Sequence, residues 1–189
     1  MEWFDSSKMR LVFIEFVFAA MFALPLVASS RTADWVVYNT SSSDLPQNLI
    51  TALACDDQGN VWIGTSDPFN SGRGVAKFEG NNWTVYNTSN SPLPYNAVFA
   101  FAPDPNGGIW IGTHGGLTSV GRGLAHFDGQ NWIVYDTSNS GLPHNNIKVL
   151  TLDAKGDLWI GTDCGLVHLL ATYDSTMARS TMSVPITLL

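Results

Sequence analysis

Basic charge is what this chain has least of. Nine Lys and Arg stand against 16 Asp and Glu in 189 residues, a formal net charge of −7, and the bases form no cluster. Nucleic-acid phosphates need Lys and Arg to neutralise them, so no nucleic acid is expected as a partner. Charge of either sign is low at 13%, yet 45% of the residues are hydrophobic, which excludes a disordered chain. Cysteine is scarce too. Cys55 and Cys164 are the two present and neither belongs to a C-x-x-C pair, so there is no disulfide framework. Cys55 is expected as a small buried hydrophobe and Cys164 as a loop thiol. Catalytic and metal signatures are missing. There is no G-x-S-x-G elbow, no H-E-x-x-H and no phosphate loop, and the Asp-x-x-Gly turns lack the D-x-D-x-D spacing of a calcium loop. No catalysis, metal or cofactor is therefore expected.

A long apolar run occurs at the N-terminus, Leu11 to Ala28, broken by Glu15 and Pro25. Lys8 and Arg10 precede it and Ala28-Ser29-Ser30 close it, the plan of a secretory signal. Its uncharged part, Phe16–Ala28, is shorter than the roughly 20 residues of a spanning helix. Residues 1–30 thus read as a signal peptide, or as a membrane anchor where uncleaved. Either places the rest of the chain outside the cytoplasm, secreted or periplasmic. Asn39, Asn82 and Asn87 head glycosylation acceptor patterns, which matter in a eukaryotic secretory route.

What the chain does have is a repeat. Trp62-Ile63-Gly64-Thr65 recurs at Trp110–Thr113 and Trp159–Thr162, 48 and 49 residues on. Each copy lies 27 residues after another Trp: Trp35, Trp83 and Trp132. Four strands are read in each unit. The first opens on that Trp (Trp35–Asn39, Trp83–Asn87, Trp132–Asp136). A polar loop closed by Leu-Pro-x-Asn leads to the second (Leu49–Cys55, Ala97–Ala102, Ile147–Leu152). An Asp-x-x-Gly turn precedes the Trp-Ile-Gly-Thr strand, and the fourth is Gly74–Phe78, Gly123–Phe127 or Gly165–Leu169. The Trp-Ile-Gly-Thr strand is apolar on successive residues, as in a strand buried on both faces. Its glycines, Gly64, Gly112 and Gly161, are expected where a neighbouring side chain comes close. The fold expected is all-β, a partial β-propeller of three four-stranded antiparallel blades over residues 31–170, after an N-terminal hydrophobic helix. Trp62, Trp110 and Trp159 would lie between neighbouring sheets. Residues 171–189 match no strand of the repeat and read as an irregular tail.

The strings W-x-V-Y-N-T-S-N-S-x-L-P-x-N, D-x-x-G-x-x-W-I-G-T and G-L-A-x-F-D-G resemble the two-component regulator propeller repeat, from about Trp35 to Leu169. The resemblance implies the extracellular sensor of a membrane-bound hybrid histidine kinase, with oligosaccharide ligands where these are carbohydrates. The leading reading is a non-catalytic extracytoplasmic module that binds an oligosaccharide or a protein. The alternatives are a truncated or detached sensor region of such a kinase, a propeller lyase or hydrolase, and a purely structural scaffold.

Three blades are fewer than the roughly four to eight of common propellers. This leaves two readings: a fragment of a longer propeller, or a homodimer closing a six-bladed ring in which each first strand completes the partner's last blade. Unpaired strand edges speak against an isolated monomer.

Strand alternation puts the loops after the Tyr38-type strands and after Trp-Ile-Gly-Thr on one face, and these are the long loops, where function is expected. Gln47, Tyr95 and His144 are equivalent positions just before the Asn that opens the innermost strand. They read either as a hydrogen-bonding ring for a polar ligand or as variable loop positions. Arg73 and Arg122 end equivalent insertions and suit a carboxylate or sulfate, or are solvated loop charges. His114 and Asp163 directly follow Trp-Ile-Gly-Thr and belong to the same rim. Phe69 is a contact residue or folds its own loop. His126 and His168, equivalent to Lys77, are expected to be structural.

Overall fold

The computed structural model describes residues 34–67, 72–115 and 121–170. Two compact units divide the chain, Met1–Val37 and Tyr38–Leu189. In the first, the described residues 34–37 form no strand, and Trp35, Val36 and Val37 are exposed. The expected strand Trp35–Asn39 is thus not formed. None of the described sheets includes these residues, and strand propensity, being local, does not by itself place a segment in a sheet. The signal or anchor segment with its helix, Phe69, and the tail beyond Leu170 lie outside the described residues. Among the described residues no helix is long and apolar enough to cross a membrane.

The second unit is all-β. Its strands are β1 (Ile50–Cys55), β2 (Val61–Thr65), β3 (Val75–Glu79), β4 (Asn82–Tyr86), β5 (Val98–Pro103), β6 (Ile109–Thr113), β7 (Leu124–Phe127), β8 (Trp132–Tyr135), β9 (Ile147–Leu152), β10 (Leu158–Thr162) and β11 (Gly165–Leu169). They pair in chain order into antiparallel sheets β1-β2-β3-β4, β5-β6-β7-β8 and β9-β10-β11. The third sheet has three strands among the described residues. The innermost strands lie side by side, β1 next to β5 and β5 next to β9. Sequence unit and blade are offset by one strand: Trp83 and Trp132 open units in the sequence but sit on the outermost strands β4 and β8.

The apolar β6 shows why the stack forms. Ile109 and Ile111 face back, packing with Trp62 of the first sheet. Trp110 faces forward onto Leu158 and Ile160 of the third. Every residue of β6 is buried, because both of its faces are covered. Trp62 and Trp110 are each 3% exposed, whereas Trp159 is only partly buried. The glycine two residues after this Trp leaves room for the next sheet. A Cβ on Gly64 would stand 3.0 Å from Val98 Cγ1, and one on Gly112 2.6 Å from Ile147 Cγ2. At Gly161 the nearest atom is Val149 Cγ1, 2.5 Å away, in its own sheet.

Aromatic rings close the seam between the first and second sheets. Tyr86 lies 6.1 Å from Trp62 in its own sheet, and 5.3 and 5.5 Å from Phe127 and Trp132 in the next. A basic side chain covers each organising Trp. Lys77 Nζ is 5.2 Å from the Trp62 ring, His126 is 4.4 Å from Trp110, and His168 stacks 4.0 Å from Trp159. His126 Nε2 meets Asp104 Oδ2 at 3.1 Å, and His168 Nε2 meets Asp157 Oδ2 at the same distance. These histidines are packing groups on Trp.

Cys55 and Cys164 are both free and exposed. For Cys55 this corrects the expectation of burial. By strand alternation Cys55 and Leu53 share the face of β1 turned away from the second sheet, and Leu53 is exposed as well.

Candidate functional site

The Thr that closes each Trp-Ile-Gly-Thr strand is a hairpin clamp. Thr65 Oγ1 donates to Gly74 O at 2.9 Å, Thr113 Oγ1 to Gly123 O at 2.8 Å and Thr162 Oγ1 to Gly165 O at 2.9 Å. The Asn of Leu-Pro-x-Asn holds the polar loop before it. Asn48, Asn96 and Asn145 each accept, through Oδ1, the N–H of Thr40, Thr88 or Thr137 at 2.8–2.9 Å. Backbone bonds then tie each insertion to the following sheet: Gly74 N–H donates to Asn96 O and Gly123 N–H to Asn145 O. The two families of long loop thus share one face, as strand alternation predicts, on a pinned scaffold.

On that face, at the seam between the second and third sheets, side chains of different repeats converge. His114 follows β6 and Asp163 follows β10, and their Nε2 and Oδ2 atoms are 3.6 Å apart. That is too long for a hydrogen bond, so the contact is electrostatic. Lys148 on β9 reaches Asp163 Oδ1 at 2.5 Å, and Asn146 Nδ2 donates to Asp163 Oδ2 at 2.7 Å. Asn146 is buried, and its Oδ1 accepts the N–H groups of Gly115 and Gly121 at 2.9 and 2.5 Å. One amide therefore fastens both ends of the second insertion and presents its other end to Asp163. Asn146 N–H also donates to His144 Nδ1 at 3.0 Å, and Phe99 on β5 packs 5.1 Å from the His114 ring.

The charges follow from this packing. The Lys148 ammonium, then the Asn146 amide, hold the Asp163 carboxyl well down, at about 2. Burial lowers the His114 pKa from its usual 6.5, outweighing the attraction of Asp163, with Lys148 and His144 pushing the same way as burial. At neutral pH the pair is a neutral imidazole beside a carboxylate. The site offers a half-exposed ammonium, a carboxylate, an imidazole and an aromatic ring. That set suits a polar ligand with hydroxyl groups and an apolar face.

Of the residues named from sequence, the structure brings His114, Asp163 and His144 into this cluster. Arg73 and Arg122 end their insertions on the same face with exposed side chains. Tyr95 is partly buried, and so is Gln47, whose Oε1 atom is buried without a hydrogen bond among the described residues. Sequence reasoning missed Asn146, Lys148 and Phe99. The signal was in the alignment of the repeats. Asn146 stands where the other units have Leu49 and Ala97, and Lys148 where they have Thr51 and Phe99. An amide where the other repeats have apolar residues, and a charge where they have uncharged ones, mark a departure from scaffold.

On the opposite face, ligand-type atoms of Asp153, Asp157 and His168 lie within 4.8 Å of one another. The stack of His168 on Trp159, and the bond from Trp159 Nε1 to Asp153 Oδ2 at 3.3 Å, account for this group structurally. A counterpart of that bond joins Trp62 Nε1 to Asp56 Oδ2 at 3.0 Å.

A family model described as two component regulator propeller matches residues 44–67, 92–115 and 141–164. Each match runs from the Leu-Pro loop through β2, β6 or β10. No curated protein matches the chain. Among solved structures, the extracellular domain of a hybrid two component system of B. thetaiotaomicron is similar over 72% of this chain and 23% of that one, with 26% identity and a TM-score of 0.36. Virginiamycin B lyase of Staphylococcus aureus matches 67% of this chain and 42% of its own, at 17% identity and a TM-score of 0.44. PorZ, a surface component of the type-IX secretion system of Porphyromonas gingivalis, matches 72% and 20%, at 21% identity and a TM-score of 0.47. This chain spans less than half the length of each.

Proposed function

From a chain that carries three two component regulator propeller repeats, we propose a non-catalytic binding module that works outside the cytoplasm and recognises a carbohydrate through its long-loop face. The observation that carries this reading is the cluster of His114, Asp163, Lys148 and Asn146 at the second seam. Its groups come from two sheets, so the site exists only when the sheets are stacked. Asp163 is already committed to Lys148 and Asn146, which suits hydroxyl recognition better than proton transfer. An apolar ring at Phe99 beside polar groups fits the two characters of a sugar.

The test is a thermal-shift screen of the full chain against a panel of oligosaccharides. A hit is expected, and Lys148→Ala and His114→Ala are each expected to weaken it at least tenfold while the melting temperature without ligand stays close to that of the parent. A folded protein with no hit, or with a hit indifferent to both changes, rejects the assignment.

One observation favours a second reading. A neutral imidazole beside a carboxylate is also the pattern of a general base, as in a lyase or hydrolase. Degradation of a polysaccharide by the purified protein, abolished by His114→Ala or His144→Ala, would make the module an enzyme.

A further inference from the structure

Both long insertions end on the same string, Gly72-Arg73-Gly74 and Gly121-Arg122-Gly123. In each the glycines are buried and the arginine is exposed. Packing against the segment that leads into the next sheet demands this. A Cβ on Gly72 would run into Asn96 O and Ala97 Cα, and one on Gly121 would stand 2.7 Å from Asn146 Oδ1. Hydrogen bonds fix the bracket on both sides. Arg73 N–H donates to Thr65 Oγ1 at 3.1 Å and Gly74 N–H to Asn96 O, while Gly121 N–H donates to Asn146 Oδ1 and Gly123 N–H to Asn145 O. The backbone of each arginine is therefore held at one seam, and its side chain is the part open to solvent. Gly121 and Asp163 share the Asn146 amide, so Arg122 follows directly on the cluster described above. The third repeat has Asp163-Cys164-Gly165 at this place and no arginine.

Neither guanidinium has an ion pair or hydrogen bond among the described residues, whereas Lys77 is paired with Glu79 and Lys148 with Asp163. The rest of the insertions supplies no carboxylate beyond Asp67, since residues 68–71 and 116–120 contain neither Asp nor Glu. The two faces also differ in charge. Every described turn on the opposite face carries a carboxylate, at Asp56, Glu79, Asp104, Asp128 and Asp153, with Lys155 as the basic residue among them. The long-loop face sets Arg73, Arg122 and Lys148 against Asp44, Asp67, Asp136 and Asp163. An anion is repelled from the first face and meets unpaired guanidinium groups on the second. We propose that Arg73 and Arg122 are matched anion subsites, and that the long-loop face takes an acidic oligosaccharide by carboxylate or sulfate groups on separate sugars. This rests on the carbohydrate reading above and names its ligand class. A guanidinium fork grips such oxyanions through two parallel N–H···O bonds. Stacked sheets lie about 10 Å apart, a spacing that one short acidic oligosaccharide can bridge. Arg122 takes the acidic group of the sugar held at the cluster, and Arg73 that of a sugar one sheet further along.

The experiment is calorimetric titration of the full chain with an oligogalacturonate, a sulfated carrageenan fragment and a neutral cello-oligosaccharide of equal length. An acidic probe is expected to bind about tenfold tighter than the neutral one, or more, and the acidic probe that does so tells carboxylate from sulfate. Arg73→Ala and Arg122→Ala should each weaken that binding by about tenfold or more and flatten its dependence on salt. Arg73→Lys and Arg122→Lys keep the charge but lose the fork, and should recover part of the loss. Both side chains are exposed, so the melting temperature of each variant should match that of the parent. Equal affinity for neutral and acidic probes overturns the proposal and leaves the carbohydrate reading standing. Acidic binding that is indifferent to both alanine changes overturns it too. Binding of none of the probes overturns the proposal together with the reading it rests on.

Discussion

Asp163 binds an ammonium, an amide and, more loosely, an imidazole, and this sets its response to acid. Its folded pKa of about 2 lies below the ordinary 3.8. The stability it contributes is therefore complete above about pH 4 and is lost as pH falls through the folded value. The side chain is exposed enough for solvent to weaken the effect, so it is one part of a larger acid response. The turn carboxylates Asp56, Asp128, Asp136 and Asp153 are also lowered, and lose stability in the same direction. Urea midpoints measured from pH 7 down to about 2 should fall mainly below pH 4, and the fall should be shallower in Asp163→Asn. A midpoint that drops equally in both proteins would assign the acid sensitivity to the turns alone. His114 acts in the same sense nearer neutrality: burial depresses its pKa below 6.5, so charging it as pH falls from that value opposes folding.

Among the elements, β6 shows what the repeat demands. Trp110 points forward, the two isoleucines point back, and Gly112 admits Ile147 of the next sheet. Gly112→Ala puts a methyl group 2.6 Å from Ile147 Cγ2. The innermost strands must then separate, at a cost of about 1–3 kcal/mol. Denaturant titration should show this loss, and a double-mutant cycle with Ile147→Ala should be less than additive, because the two positions share one space. Full additivity would mean that the glycine has some other role. Much of this was legible beforehand. Strand positions came from local alternation and turn residues, and the need for glycine followed from two-sided burial. The Trp35–Asn39 strand was misjudged because strand propensity is local, whereas membership of a sheet is decided by tertiary context. Cys55 was misjudged for a related reason, since exposure at β1 depends on what covers its outer face.

Among the described residues of the second unit, the middle sheet has a sheet on both sides. β6 and β7 are buried at every position, while exposed hydrophobics such as Leu53, Val149 and Leu166 lie on the first and third sheets. Amide hydrogen exchange should therefore be slowest in β6 and β7 and faster in β10 and β11. Equal protection of all three sheets would show that the outer faces are covered in solution. The candidate site belongs to this scale as well. His114 and Asp163 were named from the sequence because they follow the same strand in different repeats. Their meeting with Lys148 and Asn146 depends on how far one sheet is rotated against the next.

The sequence by itself determined the repeat, the strand order within each unit, the turns and the face that carries the long loops. Those properties rest on local chemistry: β-branched and aromatic runs, Asp-x-x-Gly turns, and glycine where backbones approach. Only the tertiary structure decided which residues of different repeats become neighbours. Asn146, Lys148 and Phe99 carry no motif of their own. They join His114 and Asp163 because the stacking of the second and third sheets removes apolar surface from water and brings five scattered positions to one seam.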